Sequence, residues 1–237
     1  MKILLFDVDG TLVNSGGAGR RALDAALREL YGVKDGSKGV RLAGNTDLRN
    51  FGESIRQVTG RLPRRGEIIR LAKTYVRLLP AEVRRSVRKG TYQVVPGAQR
   101  FLEALKDRGD VMLGLGTGNV EPGARIKLEA GRLNEHFAFG GFGSDGIHRW
   151  LVLRQAVARA KKKLTPAQRR SIRGRDVFVI GDTALDVSAG KRAGYRTVAV
   201  ATGWDSKDDL KAAGPDLIVK DFREARKILA LMENTHG

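Results

Sequence analysis

Lys2-Ile3-Leu4-Leu5-Phe6-Asp7-Val8-Asp9-Gly10-Thr11 holds a strand and a turn in one short stretch. Ile3, Leu4, Leu5 and Phe6 make a nearly unbroken apolar run, the pattern of a strand covered on both faces in a parallel sheet. Two aspartates follow where such a strand emerges at its carboxyl edge, and open sheets of this kind bind ligands at that edge. With the side-chain period of extended chain, Asp7 and Asp9 point to the same side, Gly10 frees the backbone to turn and Thr11 adds a hydroxyl. One carboxylate is then placed to attack and the other to handle protons. A polar turn that merely closes a strand uses the same residue types, so the reading depends on what the other strands end in.

After Thr11-Leu12-Val13 the strand pattern does not resume for most of the first hundred residues. Arg20 to Leu30 reads as a helix with Ala22, Leu23, Ala26, Leu27 and Leu30 on its apolar side. Further helices are expected over Thr46 to Val58 and Glu67 to Leu79, with Pro80 ending the latter, and a separate one over Ala81 to Lys89. Alternation of strands and helices begins at Val94-Val95-Pro96-Gly97. Strands are expected at Val111 to Leu115, Phe137 to Phe142, Val177 to Ile180, Thr197 to Ala201 and Leu217 to Val219, separated by helices, with a closing helix over Phe222 to Leu231. This grammar predicts an α/β fold, a Rossmann-like parallel sheet covered by helices over residues 1–14 and 93–237. An all-helical cap, residues 15–92, is inserted after the first strand, where the chain leaves the sheet just beyond Asp7 and Asp9.

Two later strands end in groups suited to the same place. Leu113-Gly114-Leu115-Gly116-Thr117-Gly118-Asn119 puts a hydroxyl and small residues at a strand tip before a helix start, an arrangement able to bind a phosphate oxygen. Gly181-Asp182-Thr183-Ala184-Leu185-Asp186 sets one acid at the next tip and a second about one helical turn on, so both can approach a cation held by Asp7. A helix cap accounts for Asp182 or Thr183 but leaves Asp186 without a role. Clustered carboxylates repel unless a cation or protons compensate them. Two basic side chains are candidates for the positive charge. Arg149 follows Gly141-Phe142-Gly143-Ser144-Asp145-Gly146-Ile147-His148 at a helix start and is preferred; Lys127 lies on the helix after Thr117, where an outward-facing, solubilising position is equally consistent.

Composition narrows the classes. With no cysteine there is no disulfide framework, thiolate nucleophile or cysteine-ligated metal, and His136, His148 and His236 lack a zinc-ligand spacing. No stretch approaches a membrane span, and Met1-Lys2-Ile3 runs straight into a strand, so a cytoplasmic protein without membrane partners is expected. Lys plus Arg number 44 against 26 Asp plus Glu, a net charge of +18 that attracts anions. The basic residues are dispersed and only 6% of residues are aromatic, so specific nucleic-acid recognition is not expected.

The ordered set resembles the haloacid dehalogenase superfamily, particularly its helically capped phosphatases similar to phosphoglycolate phosphatase. LLFDVDGTL matches the family's nucleophile motif, LGTGN its second motif, and VFVIGDTALD with AGKRAGYRTVAVATG its metal motif, while VKDFREARKIL looks like the usual end. The resemblance implies a Mg²⁺-dependent phosphatase acting on small anionic phosphate monoesters, phosphoglycolate among them, through an aspartyl-phosphate. It assigns Asp7 as nucleophile, Asp9 as general acid/base, and Thr117 with Gly10, Gly118 and a basic residue to the phosphate. Asp7, the Asp9 carbonyl, Asp182 and Asp186 fall to the metal. The third motif departs from the family's Lys-Pro, with Arg149-Trp150 in its place. Arg20, Arg21 and the loop Gly44-Asn45-Thr46-Asp47 are candidates to meet the rest of the substrate. A phosphosugar mutase shares these core motifs and is the alternative enzyme; a nonenzymatic basic nucleic-acid-binding protein is the more distant one.

Overall fold

A computed structural model describes residues 1–234; His236 lies outside the described residues. Its centre is a parallel sheet of β1 (Lys2–Phe6), β4 (Val111–Gly116), β5 (Gly140–Gly141), β6 (Val177–Gly181), β7 (Arg196–Val200) and β8 (Leu217–Val219), in the order β5-β4-β1-β6-β7-β8. β1 therefore lies between β4 and β6. Phe6 pairs with Leu115 on one side and with Ile180 on the other, so the residues just past these three partners emerge together at the carboxyl edge.

Alternate residues of β1 enter opposite faces, as the extended backbone requires. Leu4 and Phe6 pack with Phe178 and Ile180 against Phe101, Leu102 and Leu105 of α4 (Ala98–Lys106) and Ile228 of α10 (Ala225–Glu233). Ile3 and Leu5 pack with Val177 and Val179 against Leu153, Ala156 and Val157 of α6 (Arg149–Lys162). The four β1 side chains from Ile3 to Phe6 are fully buried, each worth about 1.5–3 kcal/mol over an exposed position. The Phe6 ring meets those of Phe137, Phe222 and Phe101 at 5.8, 6.2 and 6.3 Å. Around the sheet the remaining core helices are α5 (Glu121–Glu129), α7 (Pro166–Ser171), α8 (Ala184–Ala193) and α9 (Lys207–Ala213).

Beyond Asp9 the chain forms β2 (Val13–Asn14), which pairs antiparallel with β3 (Gln93–Val94). Between these two short strands lie α1 (Ala18–Tyr31), α2 (Asp47–Thr59) and α3 (Arg65–Arg88), closed on a core of their own that includes Leu23, Leu27, Phe51, Ile55, Leu71 and Tyr75. Thr46 caps α2 and Gly60 ends it in the left-handed conformation.

Several expected boundaries are corrected. Pro80 does not end a helix, and the two helices expected around it are one, α3. Leu71, Tyr75, Leu79 and Val83 continue a single buried stripe at four-residue spacing across the proline, and that packing outweighs the missing N–H donor. The strand expected over Phe137 to Phe142 shrinks to Gly140–Gly141, flanked by single turns at Asn134–His136 and Gly143–Asp145. The closing helix starts later, at Ala225, after a turn at Phe222–Glu224. Helices α7 and α9 were not expected, although the capping boxes Thr165/Gln168 and Ser206/Asp209 announce both.

Candidate active site

The sheet register gathers the acids. Asp7 follows β1, and its N–H donates to the Ile180 carbonyl at 2.9 Å; Asp182 follows β6, and Thr117 follows β4. Carboxylate oxygens of Asp7, Asp182 and Asp186 lie within 4.8 Å of one another, and all three residues are buried. Arg149, from the first turn of α6, holds Nη2 at 2.9 Å from Asp7 and 2.5 Å from Asp186. Its Nη1 donates to the Gly44 carbonyl at 3.1 Å.

Each acid has a distinct setting. Asp182 accepts from the Thr11 hydroxyl at 2.9 Å and the Trp204 N–H at 3.3 Å. Burial, with Asp186 and Asp7 beside it, holds its carboxyl well above the usual range. Burial likewise pushes Asp186 up to about 6, although Arg149 opposes the shift. Asp186 also closes a capping box on α8, accepting from Thr183 Oγ1 at 2.6 Å and Thr183 N at 3.1 Å. The inference that a helix cap leaves Asp186 idle therefore fails; its Oδ2 caps, and its Oδ1 faces Arg149.

Three buried carboxylates against one guanidinium leave a formal charge of −2 when all are ionised, the deficit a divalent cation would cancel. The backbone gives the cluster room. A Cβ on Gly203 would lie 1.6 Å from Asp182 Oδ2, and one on Gly10, at φ +81°, 2.3 Å from it. These donors are hard oxygens, a set that suits Mg²⁺ and similar ions.

Asp9 lies in a different network. Its carboxylate accepts from Ser15 Oγ at 2.9 Å, from Asn119 Nδ2 at 3.0 Å and from Lys127 Nζ. Burial raises its pKa, but the Lys127 charge and these hydrogen bonds outweigh that and hold the carboxyl below its ordinary value. Lys127 is buried and also donates to Asn119 Oδ1 at 2.6 Å, so of the two positions the sequence left open it takes the inward one and not the solubilising one. Ala124 and Leu128 share the buried face of α5 with it, a lysine at apolar spacing that the sequence displayed. Thr117 is fully buried, its Oγ1 accepting from Asn119 N and Nδ2 at 3.2 and 2.9 Å.

The loop before α2 lies over this edge. Asp47 donates its N–H to the Gly118 carbonyl at 2.7 Å and accepts from Val120 N at 2.8 Å; burial pushes its carboxyl up to about 6 against the pull of Lys127. Thr46 is buried, and its hydroxyl serves the start of α2 and the Ile147 carbonyl. Arg20 donates to the carbonyls of Ser37 and Val40, and Arg21 pairs with Glu82 at 2.7 Å. Between helices and sheet a cavity of about 990 Å³ is lined by Asp7, Asp9, Gly118, Lys127, Arg149 and Asp182 among others. His148 is exposed and His136 half-buried in a turn. Thr11, Ser15, Asn119 and the Gly203-Trp204 segment were not singled out as site residues.

Residues 1–194 match the family model for haloacid dehalogenase-like hydrolases. The chain belongs to that family. Among curated relatives, the family member is 29% identical over 224 residues to "Probable phosphatase IndB" of Dickeya dadantii, covering 94% of this chain and 90% of that protein. It is 25% identical over 241 residues to the phosphoglycolate phosphatase of Escherichia coli O157:H7, covering 95% and 91%. Its fold matches the crystal structure of CbbY from Rhodobacter sphaeroides with a TM-score of 0.70 at 20% identity, over 94% of this chain and 96% of that one. Among the described residues no helix is long and apolar enough to cross a membrane.

Proposed function

We propose that this hydrolase is a Mg²⁺-dependent phosphatase that hydrolyses phosphate monoesters through an aspartyl-phosphate on Asp7. The observation that carries the reading is the buried cluster Asp7, Asp182 and Asp186, which a single arginine compensates only in part. Asp7, the Asp9 carbonyl and Asp182 would hold Mg²⁺, with Asp186 in support. Bound there, the ion would draw negative charge from the phosphate and so permit an anionic nucleophile to approach it.

Asp7 attacks phosphorus as the ester oxygen leaves, and Asp9, whose depressed carboxyl the negative charge of the bound phosphate would raise so that it takes up a proton, donates that proton to the leaving oxygen. Asp9 then takes a proton from the water that cleaves the aspartyl-phosphate. Thr117, Gly10, Gly118 and Arg149 bind the transferring oxygens. Lys127 orients Asp9, which its contacts with Asp9 and Asn119 support. Residues 15–92 act as a cap over the core formed by 1–14 and 93–237, excluding bulk water from the reaction. Resemblance to phosphoglycolate phosphatase supports small phosphorylated molecules as the substrate class, with phosphoglycolate one candidate.

Asp7→Asn should keep the fold, as read by circular dichroism, and lose nearly all turnover, because an amide is a poor nucleophile and a weak cation ligand. Normal turnover in that variant refutes the mechanism. Calorimetric titration of Asp182→Asn should show weakened Mg²⁺ binding; unchanged affinity puts the ion elsewhere.

A further inference from the structure

The cavity beside Asp7 is built for something other than a short acid. At about 990 Å³ it lies at the top of the range of small-molecule sites, ~300–1,000 Å³. That volume is not the product of a lifted cap. Asp47 bonds Gly118 and Val120, Arg149 bonds Gly44, and Arg41 pairs with Asp205 at 2.9 Å, all across the boundary between the helical segment and the sheet.

The cavity lining offers poor provision for a second anionic group. A carboxylate on the leaving group needs a cation to replace its water. Five basic residues line the cavity: four are paired with carboxylates, Lys127 with Asp9, Arg149 with Asp7 and Asp186, Arg21 with Glu82 and Arg41 with Asp205, while Arg20 is held by the carbonyls of Ser37 and Val40. Asp24 and Asp47 also face the space and would repel an anion.

What the lining does supply is largely uncharged: Leu42 is half-buried, and Leu23, Phe51 and Tyr75 lie just behind it, 1–3% exposed. At the mouth stands Trp204, 72% exposed, while every other aromatic side chain among the described residues is buried or half-buried. Its backbone N–H donates to Asp182 at 3.3 Å, which holds this residue's backbone at the rim. An indole set at the lip of a polar cleft gives a flat ring a face to lie on.

We propose, resting on the phosphatase reading, that the leaving group of the substrate is an uncharged ring, the sugar of a sugar phosphate or nucleotide, lying against Trp204, and not a short carboxylic acid. The ring fills the cavity between the cap helices and the acids, and its hydroxyls meet Asp24 and Asn45, groups that accept from hydroxyls and repel carboxylates.

The test compares kcat/KM, with Mg²⁺ at pH 7, for ribose 5-phosphate, a nucleoside 5′-monophosphate, phosphoglycolate and p-nitrophenyl phosphate. The proposal expects at least one ring ester to exceed phosphoglycolate tenfold or more, and Trp204→Ala to raise KM for that ester at least fivefold with a smaller change for phosphoglycolate. Ribose 5-phosphate preferred over the nucleotide supports the sugar on Trp204; the reverse order puts the base there and overturns that placement. Phosphoglycolate matching or exceeding both ring esters overturns the proposal, as does a Trp204→Ala variant with equal KM changes for all. If p-nitrophenyl phosphate is hydrolysed in that case, the phosphatase reading survives alone; if no ester is hydrolysed, both fall.

Discussion

Gly118 is a point where the loop before α2 meets the sheet edge backbone to backbone, and an alanine there tests whether that seal matters. A Cβ on Gly118 would stand 2.1 Å from the Asn45 carbonyl oxygen, whereas real Cβ atoms essentially never come within 3.0 Å of such a group. The obstacle is backbone, so no side-chain rotation relieves it, and the loop must retreat by about 1 Å. That retreat stretches two adjacent hydrogen bonds, Asp47 N to Gly118 O at 2.7 Å and Val120 N to Asp47 Oδ2 at 2.8 Å. A neutral bond contributes about 1 kcal/mol and one to a carboxylate about 1.5–3. Their joint loss, about 3 kcal/mol, corresponds to roughly a hundredfold fall in the ratio of closed to open states. Gly118→Ala should therefore lower kcat/KM by about 10- to 100-fold, with Tm falling by no more than about 10 °C. Gly109→Ala, whose Cβ would meet nothing within 4 Å, serves as the control. A Gly118→Ala enzyme within twofold of wild type would refute the claim that contact at this point governs turnover.

Three further outcomes follow from the same geometry. Asp186 titrates near 6 when folded against an ordinary 3.8, so between those values the metal-free native state holds a proton that the unfolded chain has released, and the stability this group contributes falls as pH rises through the window. Mg²⁺ competes for that carboxylate, so the Tm increase on adding Mg²⁺ should grow from pH 5 to pH 7 in thermal scans; an increase independent of pH would contradict it. Lys127→Met removes the charge that holds the Asp9 carboxyl down, so the basic limb of the kcat profile, which reports the substrate complex, should move to higher pH, and a limb that stays put would show that Asp9 is not the acid. Pro80→Ala restores a donor inside α3 and should add about 2 kcal/mol after the loss of proline's restraint on the unfolded chain, read as a higher urea midpoint at unchanged slope.

The sheet and its acids were legible because their signals are local. Ile3 to Phe6 and Val177 to Ile180 are short apolar runs ending in acids, and strand order then makes them neighbours without further information. The helix around Pro80 was misread because a missing hydrogen bond is visible in sequence, while the stripe Leu71, Tyr75, Leu79 and Val83 gains its value only from the partners it meets in space. Lys127 illustrates the same limit. Its spacing with Ala124 and Leu128 marked a buried face, but its partner Asp9 is distant in the chain. The fates of Arg20 and Arg21 also depended on tertiary contacts, with carbonyls and with Glu82, that no short pattern encodes.

The two-rung ladder Val13↔Val94 and Asn14↔Gln93 makes the whole helical segment, in topological terms, the loop of a hairpin. A chain that leaves and re-enters the sheet through adjacent strands can exchange what lies between them without disturbing the strand order. The entropic cost of such a long excursion over a two-residue turn is only roughly 3 kcal/mol, since loop closure grows with the logarithm of length. Leu23, Leu27, Phe51 and their neighbours bury enough surface among themselves to offset that cost. Joining Asn14 to Gln93 through a short Asn-Gly turn would leave an open-faced sheet edge that still carries Asp7, Asp182 and Asp186. The same scaffold would accept a different helical insert as a cassette, changing the surface that faces the acids while leaving the acids themselves where strand order puts them.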